Sequence, residues 1–152
     1  MLHEFLLRYM MNKLGTIKNT FKQKKIKITP QRIAVYYAVE ALGHASAEEV
    51  FAEVMKMHPT ITIATIYNTL ECLANNNIIS RVMTQGNKML FDIRTADHHH
   101  LYSPTDHKIQ DFEDPELTEL IQDYIKSKNI EDFEINEIKI QLIGVFKNKY
   151  KK

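Results

Sequence analysis

The spacing of apolar residues changes once along the chain, near residue 77, and this change constrains the fold more than any other feature. Before it, apolar residues recur at helical spacing in four segments: 12–25, 31–42, 46–58 and 63–75. After it, residues 78–83 and 88–93 alternate between apolar and polar, as strands do, around a Gln-Gly-Asn turn. Helices followed by a β-hairpin are the order of a winged helix-turn-helix domain, which we predict over residues 1–92.

The predicted helix starts depend on residues that favour helix ends. Thr29, Ser46 and Thr62 each precede an apolar helical segment, and each can accept a hydrogen bond from an amide of the first turn. Ser46 and Glu49 have the spacing of a capping box, while Gly43 ends the helix before it. These signals support separate second, third and fourth helices.

Residues 93–152 form the second predicted domain, a small α/β unit. A helix is predicted from Pro115 to about residue 127. Apolar alternation predicts three strands, at 98–103, 108–112 and 133–146. A ββαβ unit of ~60 residues can hardly bury its apolar faces alone, so we expect it to pair with a second copy as a homodimer. The predicted fold class is α+β.

The net charge of +1 over the 152 residues hides a difference between the two halves. Residues 1–91 hold 11 Lys and Arg against 6 Asp and Glu, a net charge of +5. Residues 92–152 hold 9 against 13, a net charge of −4. Such asymmetry indicates that the first half meets a polyanion such as nucleic acid, although an ordinary solvated surface is the alternative interpretation.

Cys72 is the only cysteine, which excludes an intramolecular disulfide and a CxxC zinc knuckle. This usage is typical of the reducing cytoplasm, where we expect the protein to act. Cys72 itself is interpreted as a packing residue, with a redox switch as the alternative. No run approaches the ~18 consecutive apolar residues of a membrane span, and the apolar residues 1–11 lack the features of a signal peptide. No membrane partner is expected.

Residues 63–75 contain the candidate DNA-reading helix. Ile63, Ile66 and Leu70 are expected to anchor this helix to the core, which leaves other side chains near its start facing outward. In helix-turn-helix proteins these positions enter the major groove, where Asn bonds adenine and methyl groups contact thymine. The alternative is a surface helix with ordinary polar residues. Contacts to double-stranded DNA are expected from Ala64, Thr65, Tyr67, Asn68, Thr29, Gln31, Arg32 and Lys88.

Three consecutive histidines are candidate metal ligands. In a strand, His98 and His100 point to one face and His99 to the other. Further candidates lie on neighbouring predicted elements: His44, Asp92 and Asp111. Imidazoles and carboxylates without thiolates suit Fe(II), Mn(II), Co(II) or Zn(II). The alternative is a chance cluster of surface histidines.

Six motifs, taken together, resemble a known family. ITPQR, GHASAEEVF, TIATIYNTLECL, FD, ADHHHL and IQDF occur in the order and spacing of the ferric uptake regulator (Fur) superfamily. The resemblance implies a metal-dependent repressor, not an enzyme, that acts as a homodimer on a palindromic A·T-rich operator. It implies a reading helix centred on Tyr67. It also implies a regulatory metal site made of His44, Asp92, His98, His100 and Asp111.

Aspartate at both Asp92 and Asp111 resembles the peroxide-sensing PerR branch, because iron-sensing members commonly carry Glu at one or both positions. A shorter carboxylate can leave a position on Fe(II) open to peroxide, and the resemblance implies that His44 and His98 are then oxidised. An oxidised imidazole is a poor ligand, so DNA would be released. The alternatives are a repressor that responds to iron, manganese or zinc without oxidation, a haem-responsive regulator, a metal-dependent enzyme and a metal-buffering protein.

The chain departs from the family at its cysteines. Most members carry two CxxC pairs that hold a structural zinc, whereas the matching stretches here are SPTD at 103–106 and FKNK at 146–149. No structural zinc held by four cysteines is therefore expected, and the dimer must be held by apolar packing. Candidates for that packing are Phe146, Ile138, Ile140 and Leu142. Asp97, His99 and Glu137 match part of the pattern of a further metal site in some members, and nearby Glu119 is a candidate fourth ligand. The alternative is a set of ordinary polar surface residues.

Overall fold

A computed structural model describes residues 2–84, 88–96, 98–128 and 130–147, with only the backbone for residues 2–10. The turn of the predicted hairpin, residues 85–87, and the candidate ligand Asp97 lie outside the described residues. The chain divides into two compact units, Met1–Thr95 and Ala96–Lys152. The sequence-based division was after residue 92.

The first unit contains four helices: α1 (Leu2–Gln23), α2 (Pro30–Leu42), α3 (Ala47–Met55) and α4 (Ile63–Asn75). The predicted caps form. The Thr29 and Thr62 side chains each accept a hydrogen bond from the amide three residues later, and Ser46 and Glu49 form the capping box. Helix α1 begins at Leu2 rather than at the predicted residue 12, because no Gly or Pro in the preceding segment ends the helix.

Three short strands complete the first unit: β1 (His44–Ala45), β2 (Ser80–Met83) and β3 (Met89–Asp92). They form an antiparallel sheet in the order β1-β3-β2. Strands β2 and β3 are the predicted hairpin, whereas β1 was not predicted, since a strand of two residues has no periodicity. Helices followed by this sheet confirm the winged helix-turn-helix arrangement.

An apolar core fills the first unit. It includes Phe21 of α1, Val35 of α2, Val50 of α3 and Phe91 of β3, each at most 1% exposed. Helix α4 contributes the side chains at helical spacing that are fully buried: Ile66, Leu70 and Leu73. Ile63 was expected to face inward, but it is 39% exposed because it lies at the margin of this face in the first turn.

The second unit has the order ββαβ: β4 (His99–Ser103), β5 (Lys108–Phe112), α5 (Pro115–Ser127) and β6 (Gln141–Ile143). Strand β4 is central, antiparallel to β5 and parallel to β6. The strand predicted at 133–146 was too long. Only residues 141–143 are in strand conformation, because β4 offers a partner to these three positions alone.

Helix α5 differs from the helices of the first unit, because none of its residues is buried. It begins regularly, since the Asp114 carboxylate accepts a hydrogen bond from the amide of Leu117 at 2.9 Å. Its outer face presents Leu120 and Tyr124, which are 65% and 59% exposed. Among the described residues, no helix has the length and apolar character needed to span a membrane.

Candidate metal centre

The first unit positions His44 and Asp92 as a pair. They are direct partners across the antiparallel β1 and β3 strands. His44 Nε2 lies 3.5 Å from Asp92 Oδ2, and the side chains are only 12% and 3% exposed. The other carboxylate oxygen, Asp92 Oδ1, accepts a hydrogen bond from the amide of Arg94 at 2.9 Å. This bond holds the carboxylate so that Oδ2 faces the imidazole.

The second unit brings together His98, His100 and Asp111. Asp111 is the cross-strand partner of His100, and its Oδ1 lies 3.7 Å from His98 Nε2 and 3.9 Å from His100 Nε2. The two imidazole centroids are 4.6 Å apart. The candidate ligand atoms of these three side chains lie within 4.8 Å of one another, close to the spacing of ligands that share one ion.

A backbone contact sets the tautomer of His98. Its Nδ1 lies 2.7 Å from the carbonyl oxygen of Ala96, which accepts only if Nδ1 carries the proton. The lone pair is then on Nε2, the atom that faces Asp111. Metal-binding histidines are commonly oriented in this way by a second partner at the other ring nitrogen.

The chemistry of these donors fits a divalent cation. His98 and His100 are 5% and 4% exposed, and Asp92 is 2% exposed. Burying carboxylates costs free energy unless a cation or hydrogen bonds compensate their charge. Neutral imidazoles and carboxylates, with no thiolate, are donors that Fe(II), Mn(II) and Zn(II) accept.

His99 points away from His98 and His100, as the strand alternation predicted. Its Nε2 lies 2.8 Å from the hydroxyl of Thr118 on α5, and that hydroxyl donates to the carbonyl of Asp114. The Thr118 hydroxyl therefore accepts from His99 Nε2, which leaves the lone pair on Nδ1. Thr118, which sequence reasoning missed, occupies the place next to His99 where Glu119 was considered.

The further metal site stays a prediction. Asp97 lies outside the described residues, and Glu119 and Glu137 are exposed. Among the described residues, the side chains of His99, Glu119 and Glu137 do not form a group of neighbouring ligand atoms. The placement favours a structural hydrogen bond for His99 in the described part of the chain.

The predicted DNA contacts occupy two kinds of position. Gln31, Ala64, Tyr67, Asn68 and Lys88 are exposed. The others take part in local hydrogen bonds: Thr29 caps α2, Arg32 Nη1 donates to the carbonyl of Lys27, and the Thr65 hydroxyl lies 2.9 Å from that of Thr62.

A contact that sequence reasoning missed links α3 with α4. The hydroxyl of Tyr67 donates to Glu48 Oε1 at 2.6 Å. This hydrogen bond holds the pKa of the Glu48 carboxyl below its usual range and raises the pKa of the Tyr67 phenol. The two residues are 19 apart in sequence, so no local spacing could have indicated the pair.

A winged-helix unit and two sets of largely buried His and Asp side chains are typical of one class, metal-binding proteins built on a DNA-binding fold. Residues 23–142 match the model of the ferric uptake regulator family. The chain belongs to that family, which confirms the resemblance.

Among relatives, the peroxide-responsive repressor PerR of Staphylococcus epidermidis is 29% identical over 129 residues, covering 84% of each chain. PerR of Staphylococcus aureus strain Mu50 is 30% identical, covering 84% of this chain and 85% of that protein. Among solved structures, the Vibrio cholerae ferric uptake regulator superposes with a TM-score of 0.70 at 24% identity, covering 83% of this chain and 96% of that one. The Campylobacter jejuni peroxide stress regulator superposes with a TM-score of 0.67 at 20% identity, covering 90% and 97%. These structures share the fold.

Proposed function

We propose that this protein is a homodimeric, metal-dependent repressor of the bacterial cytoplasm that binds a palindromic A·T-rich operator and releases it after reaction with peroxide. The observation that carries the proposal is the cluster of buried His98 and His100 with half-buried Asp111, with the His44 and Asp92 pair as a second set of ligands. We propose that the two sets bind one ion together. Such an ion would fix the angle between the two units that a duplex requires.

The family and the first unit support DNA binding. The exposed face of α4 carries Ala64, Tyr67 and Asn68, and exposed Lys88 lies beside the wing strand β3. A helix of this kind reads base edges, while flanking cations contact phosphates and set the register. Because each phosphate contact releases counterions, the affinity of the metal-loaded protein should fall steeply as salt rises from ~50 to ~200 mM.

The ligand set supports Fe(II) or Mn(II) as the regulatory ion. Five nitrogen and oxygen donors suit these ions, and Zn(II) can substitute because affinity alone does not select among such metals. A structural zinc bound by four thiolates has no ligands here, because Cys72 is the only cysteine.

The second unit supports self-association. Leu120, Tyr124 and Phe133 are each at least 59% exposed, and the groove lined by Ile125, Phe133 and their neighbours has a volume of 300 Å³. Apolar exposure on this scale in a small unit favours a partner of the same kind. The packed face predicted from Phe146, Ile138, Ile140 and Leu142 is part of this proposal. Leu142 is 45% exposed.

The peroxide signal is supported by the PerR relatives and by aspartate at both carboxylate positions. Fe(II) in the site would activate peroxide. The imidazole of His44 or His98 would gain one oxygen atom from peroxide, and the other would leave as water. The oxidised ring would bind the metal poorly, so the site would open.

Two measurements on the full chain test this function. Protein loaded anaerobically with Fe(II) or Mn(II) should bind a duplex recovered from a random-sequence library, and removal of the metal should abolish binding. Brief peroxide treatment of the Fe(II) form should release the duplex. It should also add the mass of one oxygen atom to a peptide containing His44 or His98, whereas the Mn(II) form stays unmodified.

The outcomes separate the alternatives. If the Fe(II) form binds DNA and survives peroxide unmodified, peroxide sensing is wrong and a response to iron, manganese or zinc remains. A Soret band on haem addition, lost in His98→Ala, would indicate a haem-responsive regulator. If no duplex is recovered with any metal, the proposed repressor function is wrong, and the remaining interpretations are a metal-buffering protein and a metal-dependent enzyme.

A further inference from the structure

A residue of helix α3 contacts the outer surface of helix α4. Tyr67 is 43% exposed and lies on the same face as Ala64 and Asn68, the predicted base contacts. The hydroxyl of Tyr67 is bound by Glu48, which belongs to the first turn of α3. One end of the phenol ring is therefore restrained by a different helix.

The Glu48–Tyr67 contact is a charge-assisted hydrogen bond. At 2.6 Å it is as short as such O–H···O⁻ bonds usually are, and they are about twice as strong as neutral ones. The same bond, followed by contacts with local backbone and Ser46 and by nearby Lys88, lowers the pKa of Glu48. Glu48 is therefore ionised at neutral pH.

The ionised Glu48 carboxylate lies on the surface that is expected to face DNA. Glu48, Tyr67, Glu71 and Lys88 line one groove of 360 Å³ beside the wing strand β3. Glu71 is compensated by Arg81, whose Nη2 lies 2.5 Å from its carboxylate. Glu48 instead binds the neutral phenol of Tyr67, with Lys88 in the same groove, so a carboxylate lies on a surface that is expected to meet phosphates. Carboxylates repel the DNA backbone, which is the source of sequence-independent affinity.

We propose that Glu48 is a specificity-determining residue that positions Tyr67 for base contacts and lowers the affinity for unrelated DNA. The inference rests on the proposed function, since it needs a protein that binds a preferred duplex. The Glu48 side chain has two effects. Its hydrogen bond orders the Tyr67 ring before DNA binds, and its charge weakens binding that depends only on contacts between the protein and DNA phosphates. Both raise the ratio of specific to unspecific binding.

The experiment separates positioning from charge with two substitutions in the full-length, Mn(II)-loaded protein. Glu48→Ala removes the carboxylate and the acceptor of the Tyr67 hydrogen bond. Glu48→Gln removes the charge but keeps an amide oxygen that can accept from Tyr67. The same pair is made in a Tyr67→Phe background. Glu53→Gln on the same helix is the matched control, because Glu53 pairs with exposed Lys56 away from this groove.

Each variant is titrated with two duplexes, the one recovered from the random-sequence library by the wild-type protein and a scrambled duplex of the same composition. Glu48→Ala should bind the recovered duplex about 3- to 10-fold more weakly than Glu48→Gln does, the range expected for one hydrogen bond. Both should bind the scrambled duplex more tightly than wild type. In the Tyr67→Phe background the difference between Ala and Gln should disappear, because the hydroxyl that distinguishes them is absent.

Any of three results would overturn the inference. The first is equal affinity of Glu48→Ala and Glu48→Gln for the recovered duplex, and the second is an affinity of both variants for the scrambled duplex that equals that of Glu53→Gln. The third is a difference in affinity between the Ala and Gln variants that persists in the Tyr67→Phe background. Failure of the wild-type protein to recover any duplex would be a different result, since it removes the proposed function and the inference together. Circular dichroism and thermal melting of each variant confirm that the fold is retained.

Discussion

The two units of the chain bury different kinds of side chain. In the described part of the first unit, buried positions are mostly apolar and form one core that includes Phe21, Leu70 and Phe91. In the described part of the second unit, the buried side chains are three histidines, Ser103 and Tyr102. The first unit therefore has an apolar core to stabilise its fold. The second has mainly imidazoles inside and exposes Leu120 and Tyr124 of α5, so we expect its stability to depend on a metal bound by the imidazoles and on a partner copy that covers α5.

The largest expected effect uses the same substitution in both units. Leu70 is fully buried, and Leu70→Ala should lower the free energy of unfolding by about 2–5 kcal/mol through lost burial and a cavity. Leu120 is 65% exposed, and Leu120→Ala should change protomer stability by less than about 0.5 kcal/mol while weakening the dimer. Urea unfolding and sedimentation at several concentrations measure both. An equal loss of unfolding free energy in the two variants at every protein concentration would contradict the difference between the two units.

The next effect comes from the metal. Mn(II) at 100 times its dissociation constant should stabilise the protein by about 2.7 kcal/mol, because it binds the folded ligand set alone. Asp111→Asn should remove most of this gain, since Asp111 faces both His98 and His100. Asp123→Asn is the matched control, because Asp123 is exposed and pairs with Lys126 on the surface of α5. The readout is thermal melting with and without metal. Equal stabilisation by Mn(II) in both variants would show that Asp111 is not a metal ligand.

A smaller effect contrasts helix ends in the two units. Ser46→Ala removes one side of the α3 capping box and should cost about 1 kcal/mol. Ser127→Ala removes a hydrogen bond that an exposed hydroxyl donates to the carbonyl of Tyr124, and its effect should stay within about 0.5 kcal/mol. Urea unfolding measures both. A loss at Ser127 as large as that at Ser46 would show that the end of α5 is more ordered than its exposure indicates.

The smallest expected effect is a dependence on alkaline pH in the first unit. Burial and nearby Glu40 raise the pKa of the Tyr36 phenol above its usual 10.0. A raised pKa favours the neutral phenol in the folded state, so the stabilisation is present below about pH 10 and is lost as the pH rises further. Tyr36→Phe should flatten this dependence. Unfolding midpoints across that pH range provide the check.

The sequence predicted the features that depend on local pattern. The bounds of α4 agree with the prediction because Thr62 caps the helix and the Ile66, Leu70 and Leu73 stripe has an unbroken period. Asp111 lies opposite His100 because a short hairpin sets the register. These are properties of neighbouring residues along the chain.

The features that the sequence missed depend on contacts between distant segments. Strand β1 exists because β3 pairs with it, and β6 is short because β4 offers only three partners. The Glu48 contact with Tyr67 and the Thr118 contact with His99 each join residues 19 positions apart. Such contacts leave no period in the sequence, so only the folded chain shows them.

Metal titration shows whether the ligand sets of the two units bind a single ion. We expect one Mn(II) per protomer, with an affinity that falls at least about 10-fold in both His44→Ala and His98→Ala, since loss of even indirect partners of metal ligands lowers the affinity by this much. His58→Ala should leave it unchanged. Wild-type affinity in His44→Ala, or one ion for each ligand set, would contradict a shared ion.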